Sequence, residues 1–190
     1  MEEIEIKFLE VDVDALENKL REIGAEKVAD FFYKRIIFDF PDHRLKNMGA
    51  FLRLRDEGER NTLTYKQQKD FASYELTPKD VVILEDEVVV SDFDTTRKML
   101  GSIGMIELRY QENKRTRYIY EDVEIDIDSW PRIPTYVEIE GQSQEKVNEV
   151  ALLLGFDLND AVRYSAGAIY ERHYGIKMHE YTKVTFEEWI

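Results

Sequence analysis

Runs of like-charged residues spaced two positions apart are the feature of this chain best suited to chemistry. Glu3, Glu5 and Lys7 alternate with Ile4, Ile6 and Phe8, and Arg53 and Arg55 alternate with Leu52 and Leu54. Glu85 pairs in the same way with Glu87, Arg115 with Arg117, and Glu138 with Glu140, while Glu124, Asp126 and Asp128 stand opposite Val123, Ile125 and Ile127. Lys66 shares its spacing with Thr62, Thr64 and Gln68. In a strand this spacing puts each charged set on one face and the apolar set on the other. A solvated face of an antiparallel sheet also alternates. Such a face, however, mixes charges, because like charges set side by side repel. Here, Lys7 beside Glu3 and Glu5 apart, the charged residues of each strand face are acids alone or cations alone. Clustered carboxylates suit a hard divalent cation with oxygen ligands, Mg²⁺ or Mn²⁺. Converging Arg and Lys side chains suit phosphate oxygens. Together they describe a metal–polyphosphate site.

These side chains need strands to hold them. Apolar alternation predicts strands over residues 2–10, 28–40, 50–56, 61–69, 81–90, 106–120, 123–128 and 135–140, with a hairpin tip at Glu57-Gly58. Helices are predicted over 13–23, capped by Asp12 and stopped by Gly24, and over 93–103, capped by Ser91 or Asp92. A third opens at Ser143-Gln144-Glu145 and ends at Gly155, and a fourth runs from Asn159-Asp160 to about Tyr174. The tail, Lys177 onward, has no clear period, but Phe186 and Trp189 suggest that it packs onto something. The fold class expected is α+β, mainly β: a closed, antiparallel, eight-stranded β-barrel with a charged lumen and helices packed outside it. Residues 1–175 form the domain and 176–190 a tail packed upon it.

Composition narrows the partners. The 190 residues are 43% hydrophobic and 35% charged, as in a globular chain. With 26 basic and 40 acidic residues the net charge is −14, which disfavours nucleic acid as a partner but not a small polyanion met by local cations. No apolar run reaches membrane-spanning length and the N-terminus does not read as a secretory signal, so no membrane partner is expected. The absence of cysteine removes disulfides and thiolate chemistry and makes a cytoplasmic location the expectation. His43, His173 and His179 share no ligand spacing, and Phe31-Phe32-Tyr33 reads as strand packing. Walker loops, serine elbows and GxGxxG are absent.

Taken in order, the motifs resemble the CYTH domain, also called the triphosphate tunnel metalloenzymes. That family includes class IV adenylate cyclases, thiamine triphosphatases and inorganic triphosphatases. Glu3-Ile4-Glu5-Ile6-Lys7 is similar to its ExExK signature, followed by RxR at Arg53 and Arg55, TxK at Thr64-Tyr65-Lys66 and ExE at Glu85 and Glu87. Arg115-Thr116-Arg117 stands where the family usually shows KxR, and Tyr136 to Glu140 resembles the closing metal-binding strand. The resemblance implies metal ligation by Glu3, Glu5, Glu138 and Glu140, with Glu85, Glu87, Asp126 and Asp128 as helpers. It implies triphosphate binding by Lys7, Arg53, Arg55, Lys66, Arg115 and Arg117, with Arg163 reaching in from the last helix, and a catalytic role for Lys7, Lys66 and Arg117. Lys114 falls on the opposite face from Arg115 unless the strand bulges. The chain departs from the pattern at Arg35 and Ile37, where the family often has Asp and Tyr. It also departs at Trp130-Pro131-Arg132-Ile133-Pro134, where a Gly-rich turn is usual.

The leading function is a metal-dependent hydrolase of inorganic triphosphate or a triphosphate-bearing small molecule, using Mg or Mn and acting as a monomer or homodimer. A class IV adenylate cyclase would need nearly the same residues. A non-catalytic polyphosphate or nucleotide-binding module is a third reading, and an unrelated β-barrel carrier with an apolar lumen a fourth.

Overall fold

The structure, a computed structural model, describes residues 4–68 and 83–190. Along the chain run β1 (Ile4–Phe8), α1 (Val13–Glu22), β2 (Glu26–Asp39), α2 (Arg44–Asn47), β3 (Ala50–Asp56), β4 (Asn61–Gln68) and β5 (Ile83–Val90). Then follow α3 (Phe93–Ser102), β6 (Ile106–Tyr120), β7 (Val123–Ser129), β8 (Tyr136–Gly141), α4 (Gln144–Leu153), α5 (Ala166–Tyr174) and the two-residue β9 (Lys183–Val184). Short 3₁₀ turns sit at Leu158–Asp160 and Met178–Glu180. Among the described residues no helix is long and apolar enough to cross a membrane.

Two compact units result. One comprises Phe32–Glu112 with Lys177–Ile190, and the other Glu2–Phe31 with Asn113–Ile176. In the second unit the ladders order the strands β1-β8-β7-β6, all antiparallel. Ile6, Phe8, Ile125, Ile127, Val137 and Ile139 share the apolar face of this sheet, packed under Leu16 and Leu20 of α1 and Val147, Val150 and Ala151 of α4. Each such side chain contributes about 1.5–3 kcal/mol by leaving water. Asp12 caps α1 by accepting from the Ala15 amide, and Gly24 (φ +79°) lets the chain turn off its end.

In the first unit β2, β3, β4 and β5 pair in sequence, antiparallel throughout. Ile36, Phe38, Leu52, Leu54, Leu63 and Tyr110 pack with Phe93 and Leu100 of α3. Asp92, not Ser91, caps that helix. The tail is tied to the same unit: β9 pairs in parallel with β6 at Tyr110 and Gln111, Phe186 lies 6.3 Å from Phe32, and Trp189 packs edge-on to Tyr181.

Two expectations change. β1 has β8 as its strand neighbour and β5 has β4. Among the described residues no ladder gives either a second strand, so the ladders show a mainly β, antiparallel α+β fold and not a closed barrel. The fourth helix also starts later than predicted. Val162 exchanges both backbone hydrogen bonds with Lys7, at 2.8 and 2.9 Å, which keeps the chain extended there until Ser165 caps α5.

Candidate functional site

In the unit containing β1, β8, β7 and the second half of β6, alternation leaves the charged side chains on the face opposite the apolar core. The registers align them in rows. Glu5 faces Glu140, which faces Glu124; Lys7 faces Glu138, which faces Asp126, which faces Arg117; and Asp128 faces Arg115. Carboxylate oxygens of Glu5, Glu138 and Glu140 lie within 4.8 Å of one another. Three carboxylates this close repel unless a cation joins them, and an all-oxygen donor set fits a hard divalent ion. Part of that charge is already met by Lys7, whose ammonium is 2.6 Å from Glu5 and 3.3 Å from Glu138. Burial pulls the Lys7 pKa down, but the two glutamates more than offset this and hold it above the ordinary lysine value. Burial likewise favours neutral Glu138, yet Lys7 and Arg115 overcome it and bring its pKa to about 2.

Asp126 and Asp128, expected as helpers to the metal, are engaged by arginine. Arg115 gives Asp128 its Nε at 2.9 Å, and also reaches Asp126, while Asn113 donates to Asp128 at 3.0 Å. Arg117 holds Asp126 at 2.8 and 2.7 Å and Glu124 at 2.6 Å. Both aspartates are 1% exposed, so these fork contacts fix the guanidiniums in place. Asn113 and Glu124 were not among the predicted site residues, although each has the spacing of a neighbour that was. Lys114 is exposed on the other face, since the β6–β7 ladder continues unbroken from Lys114 to Tyr120. Arg163 stands on the extended segment before α5, not on a helix, and its guanidinium is 3.5 Å from the Glu5 carbonyl oxygen. Glu3 lies outside the described residues.

The other unit carries mostly cations on its charged face. Arg53 is in register with Thr64 and Thr64 with Glu87; Lys66 is in register with Glu85. Thr64 accepts from Arg53 at 3.2 Å and donates to Glu87 at 2.7 Å, and Lys66 bonds to Glu85. Arg53 is 3.8 and 3.7 Å from Glu85 and Glu87. Arg55 bonds Glu57 and lies 3.7 Å from Glu87, with its guanidinium 4.9 Å from the Tyr33 ring centre. Glu57 is a further residue that sequence reasoning missed. It was read only as a hairpin tip, but it is 7% exposed and held by Arg55, Arg60 and Thr62. Its spacing from Arg53 and Arg55 was the available signal. Burial pushes its pKa up, and the two arginines and Thr62 reverse this to leave it below the ordinary value.

The histidines join no ligand group among the described residues.

Comparison with known proteins places these two faces in context. The family model described as the CYTH domain matches residues 1–163. A Methanocaldococcus jannaschii protein provisionally named an adenylate cyclase is 27% identical over 149 residues, covering 78% of this chain and 81% of its own. Among solved structures, a Vibrio parahaemolyticus protein, also provisionally named an adenylate cyclase, is similar with a TM-score of 0.75 at 16% identity, covering 90% of this chain and 98% of that one. A Hippeastrum protein provisionally named an adenylyl cyclase, and described as revealing a dominant triphosphatase activity, gives a TM-score of 0.57 at 19% identity, covering 92% and 96%.

Proposed function

The chain belongs to the CYTH domain family, and from that premise we propose that it is a metal-dependent phosphohydrolase acting on inorganic triphosphate or a triphosphate-bearing small molecule. The observation that carries the reading is the meeting of Glu5, Glu138 and Glu140 within 4.8 Å beside a buried Lys7. These carboxylates, with Glu3, would hold Mg²⁺ or Mn²⁺. When bound, the ion would neutralise phosphate charge and ease the attack of water at phosphorus.

The chain's own cations take the remaining roles. Arg53, Arg55 and Lys66 would grip phosphate oxygens, and the Glu85 and Glu87 contacts would hold those cations ready until an anion arrives. Lys7, Arg115 and Arg117 would serve the other phosphates, with Arg163 alongside. The proposal takes residues 1–175 as the functional domain with 176–190 packed on it, as the sequence predicts. Hydrolysis is preferred because it needs metal, phosphate contacts and water alone. Cyclisation of ATP would also require a ribose hydroxyl positioned against the α-phosphorus, and the name of the Methanocaldococcus jannaschii relative keeps it as the second reading.

The test incubates purified protein and Mn²⁺ with triphosphate, thiamine triphosphate and ATP in separate reactions. Orthophosphate release is expected. Cyclic AMP with pyrophosphate from ATP would establish the cyclase instead, and no turnover of any of them would leave only a binding module.

A further inference from the structure

The hairpin between β3 and β4 turns on Gly58 (φ +90°) and closes with the Glu57 amide donating to the Arg60 carbonyl oxygen at 2.9 Å. A carboxylate at such a tip belongs in water, because an ionised group gives up much hydration when buried. The Glu57 side chain is buried all the same. Two-residue spacing explains its direction: positions 53, 55 and 57 share a face, so Glu57 extends the row of Arg53 and Arg55.

The two carboxylate oxygens of Glu57 have different partners. Oε2 accepts from Nε of the exposed Arg60 at 2.7 Å. Oε1 meets Nη2 of Arg55 at 2.5 Å and accepts from the Thr62 hydroxyl at 3.2 Å. Thr62 is wholly buried and stands directly opposite Arg55 in the β3–β4 ladder. The backbone pair and Arg60 already fasten the turn, so the Oε1 contacts ask for a separate reason.

That reason lies in Arg55. Its guanidinium carbon sits over the ring of the buried Tyr33, 4.9 Å from the centre, while Glu87 at 3.7 Å is beyond hydrogen-bonding distance. Tyr33 bounds the guanidinium from β2, and Glu57 tethers one end of it from the turn. An arginine held in advance loses less freedom when an anion arrives. Glu57 bears the same sign of charge as a phosphate, so by field alone it works against phosphate binding. Its contribution is reach.

We propose that Glu57 is a positioning residue of the phosphate clamp: its Oε1, braced by Thr62, holds Arg55 against Tyr33 in the orientation that meets a phosphate oxygen. This rests on the reading of Arg55 as a triphosphate contact.

Calorimetric titration of the purified chain with inorganic triphosphate, with Ca²⁺ replacing Mg²⁺, tests it. Glu57→Asp keeps the charge but withdraws the carboxylate by one methylene, and affinity is expected to fall about tenfold. Glu57→Gln keeps the reach and drops the charge, and should lose about threefold at most. A role through the field would leave the aspartate variant like the wild type. A role in stability alone would make glutamine the worse change, because it leaves two arginines without their counter-charge. In an Arg55→Ala background Glu57→Asp should cost less than about twofold more, since nothing remains to be positioned. Thermal melts report folding. Should Glu57→Asp not fold, Thr62→Val decides: it strips the hydroxyl from the same Glu57 oxygen and is expected to cost about threefold.

Wild-type affinity in Glu57→Asp, a greater loss in Glu57→Gln, or the same loss with and without Arg55 overturns the inference alone. So does wild-type affinity in Thr62→Val where that variant decides. Triphosphate bound as tightly by Arg55→Ala as by the wild type, or not bound at all, overturns the reading of Arg55 as well.

Discussion

Lys7 and Glu138 stand directly opposite each other on β1 and β8, the ammonium 3.3 Å from the carboxylate, with side chains 3% and 10% exposed. A pair so withdrawn from water has been stripped of solvation that only the partner replaces. Removing one member is therefore more costly than the pair's net worth suggests. Glu5, the other partner of Lys7, has a side chain 38% exposed. The two glutamates thus separate stability from activity.

Glu138→Ala is expected to cost about 3–5 kcal/mol, because Lys7 and Arg115 lose a buried counter-charge. Glu5→Gln is expected to leave the denaturation midpoint nearly unchanged while cutting Mn²⁺-dependent turnover by about 100-fold or more, a barrier increase of about 3 kcal/mol. Chemical denaturation and phosphate release measured on both variants check this. Equal destabilisation by the two would mean that burial is not what distinguishes them.

Metal loading should register in stability as well as in activity. A ligand that binds the folded state alone stabilises it by about 2.7 kcal/mol at 100 times its dissociation constant. Millimolar Mn²⁺ is expected to raise the melting temperature of the wild type, and chelation to reverse the rise. In Glu140→Gln, which removes one carboxylate of the group, the increment should shrink sharply. An equal rise in both proteins would place the ion elsewhere.

Arg53 is the cation best prepared for phosphate, with Thr64 at 3.2 Å and two glutamates just beyond hydrogen-bonding distance. Arg53→Ala is expected to weaken triphosphate binding by about 10- to 100-fold, the worth of a charge-assisted contact. Arg53→Lys should recover part of this, since a lysine keeps the charge but loses the fork. Titration calorimetry with triphosphate distinguishes the three proteins, and unchanged affinity in the alanine variant would remove Arg53 from the clamp.

Acid stability has a predicted sign. The Glu57 pKa is lower folded than in an ordinary glutamate because Arg60 and Arg55 outweigh burial. The stability it contributes is complete above its unfolded pKa, about 4.3. It is lost as pH falls through the lower folded value, because protonation then releases both arginines. Unfolding free energy measured from about pH 6 to 3 should drop less steeply in Glu57→Gln than in the wild type. Parallel slopes would show that Glu57 is not among the groups that titrate on unfolding.

Much of this was readable from alternation alone. Two-residue spacing put Arg53 with Arg55 and Glu138 with Glu140 on charged faces, and the ladders agree because the intervening Leu54 and Ile139 are wholly buried. Spacing along one strand says nothing of which strand lies beside it. The Asp126 and Asp128 contacts with arginine were accordingly invisible, since they depend on the β6–β7 register. Arg163 was misplaced for a related reason. Asn159-Asp160 has the composition of a helix start, but the backbone of Val162 is committed to Lys7, a contact 155 positions back in the chain. Glu57 was hidden by its turn, where a Gly58 neighbour drew attention to backbone geometry and away from the side chain. The predicted strand ends at Lys69 and Val81 fall outside the described residues.

The ammonium of Lys7 among three carboxylates has a consequence for residence time. The Lys7 ammonium, and the Arg115 guanidinium 3.7 Å from Glu138, already offset part of the charge of the three carboxylates, so a single dication would find little negative charge in excess of its own. A metal held there would be expected to exchange with the surrounding pool of free ions and to follow its rise and fall. Occupancy would then be governed by supply, and the protein would be expected to come through purification empty unless the buffers carry the ion.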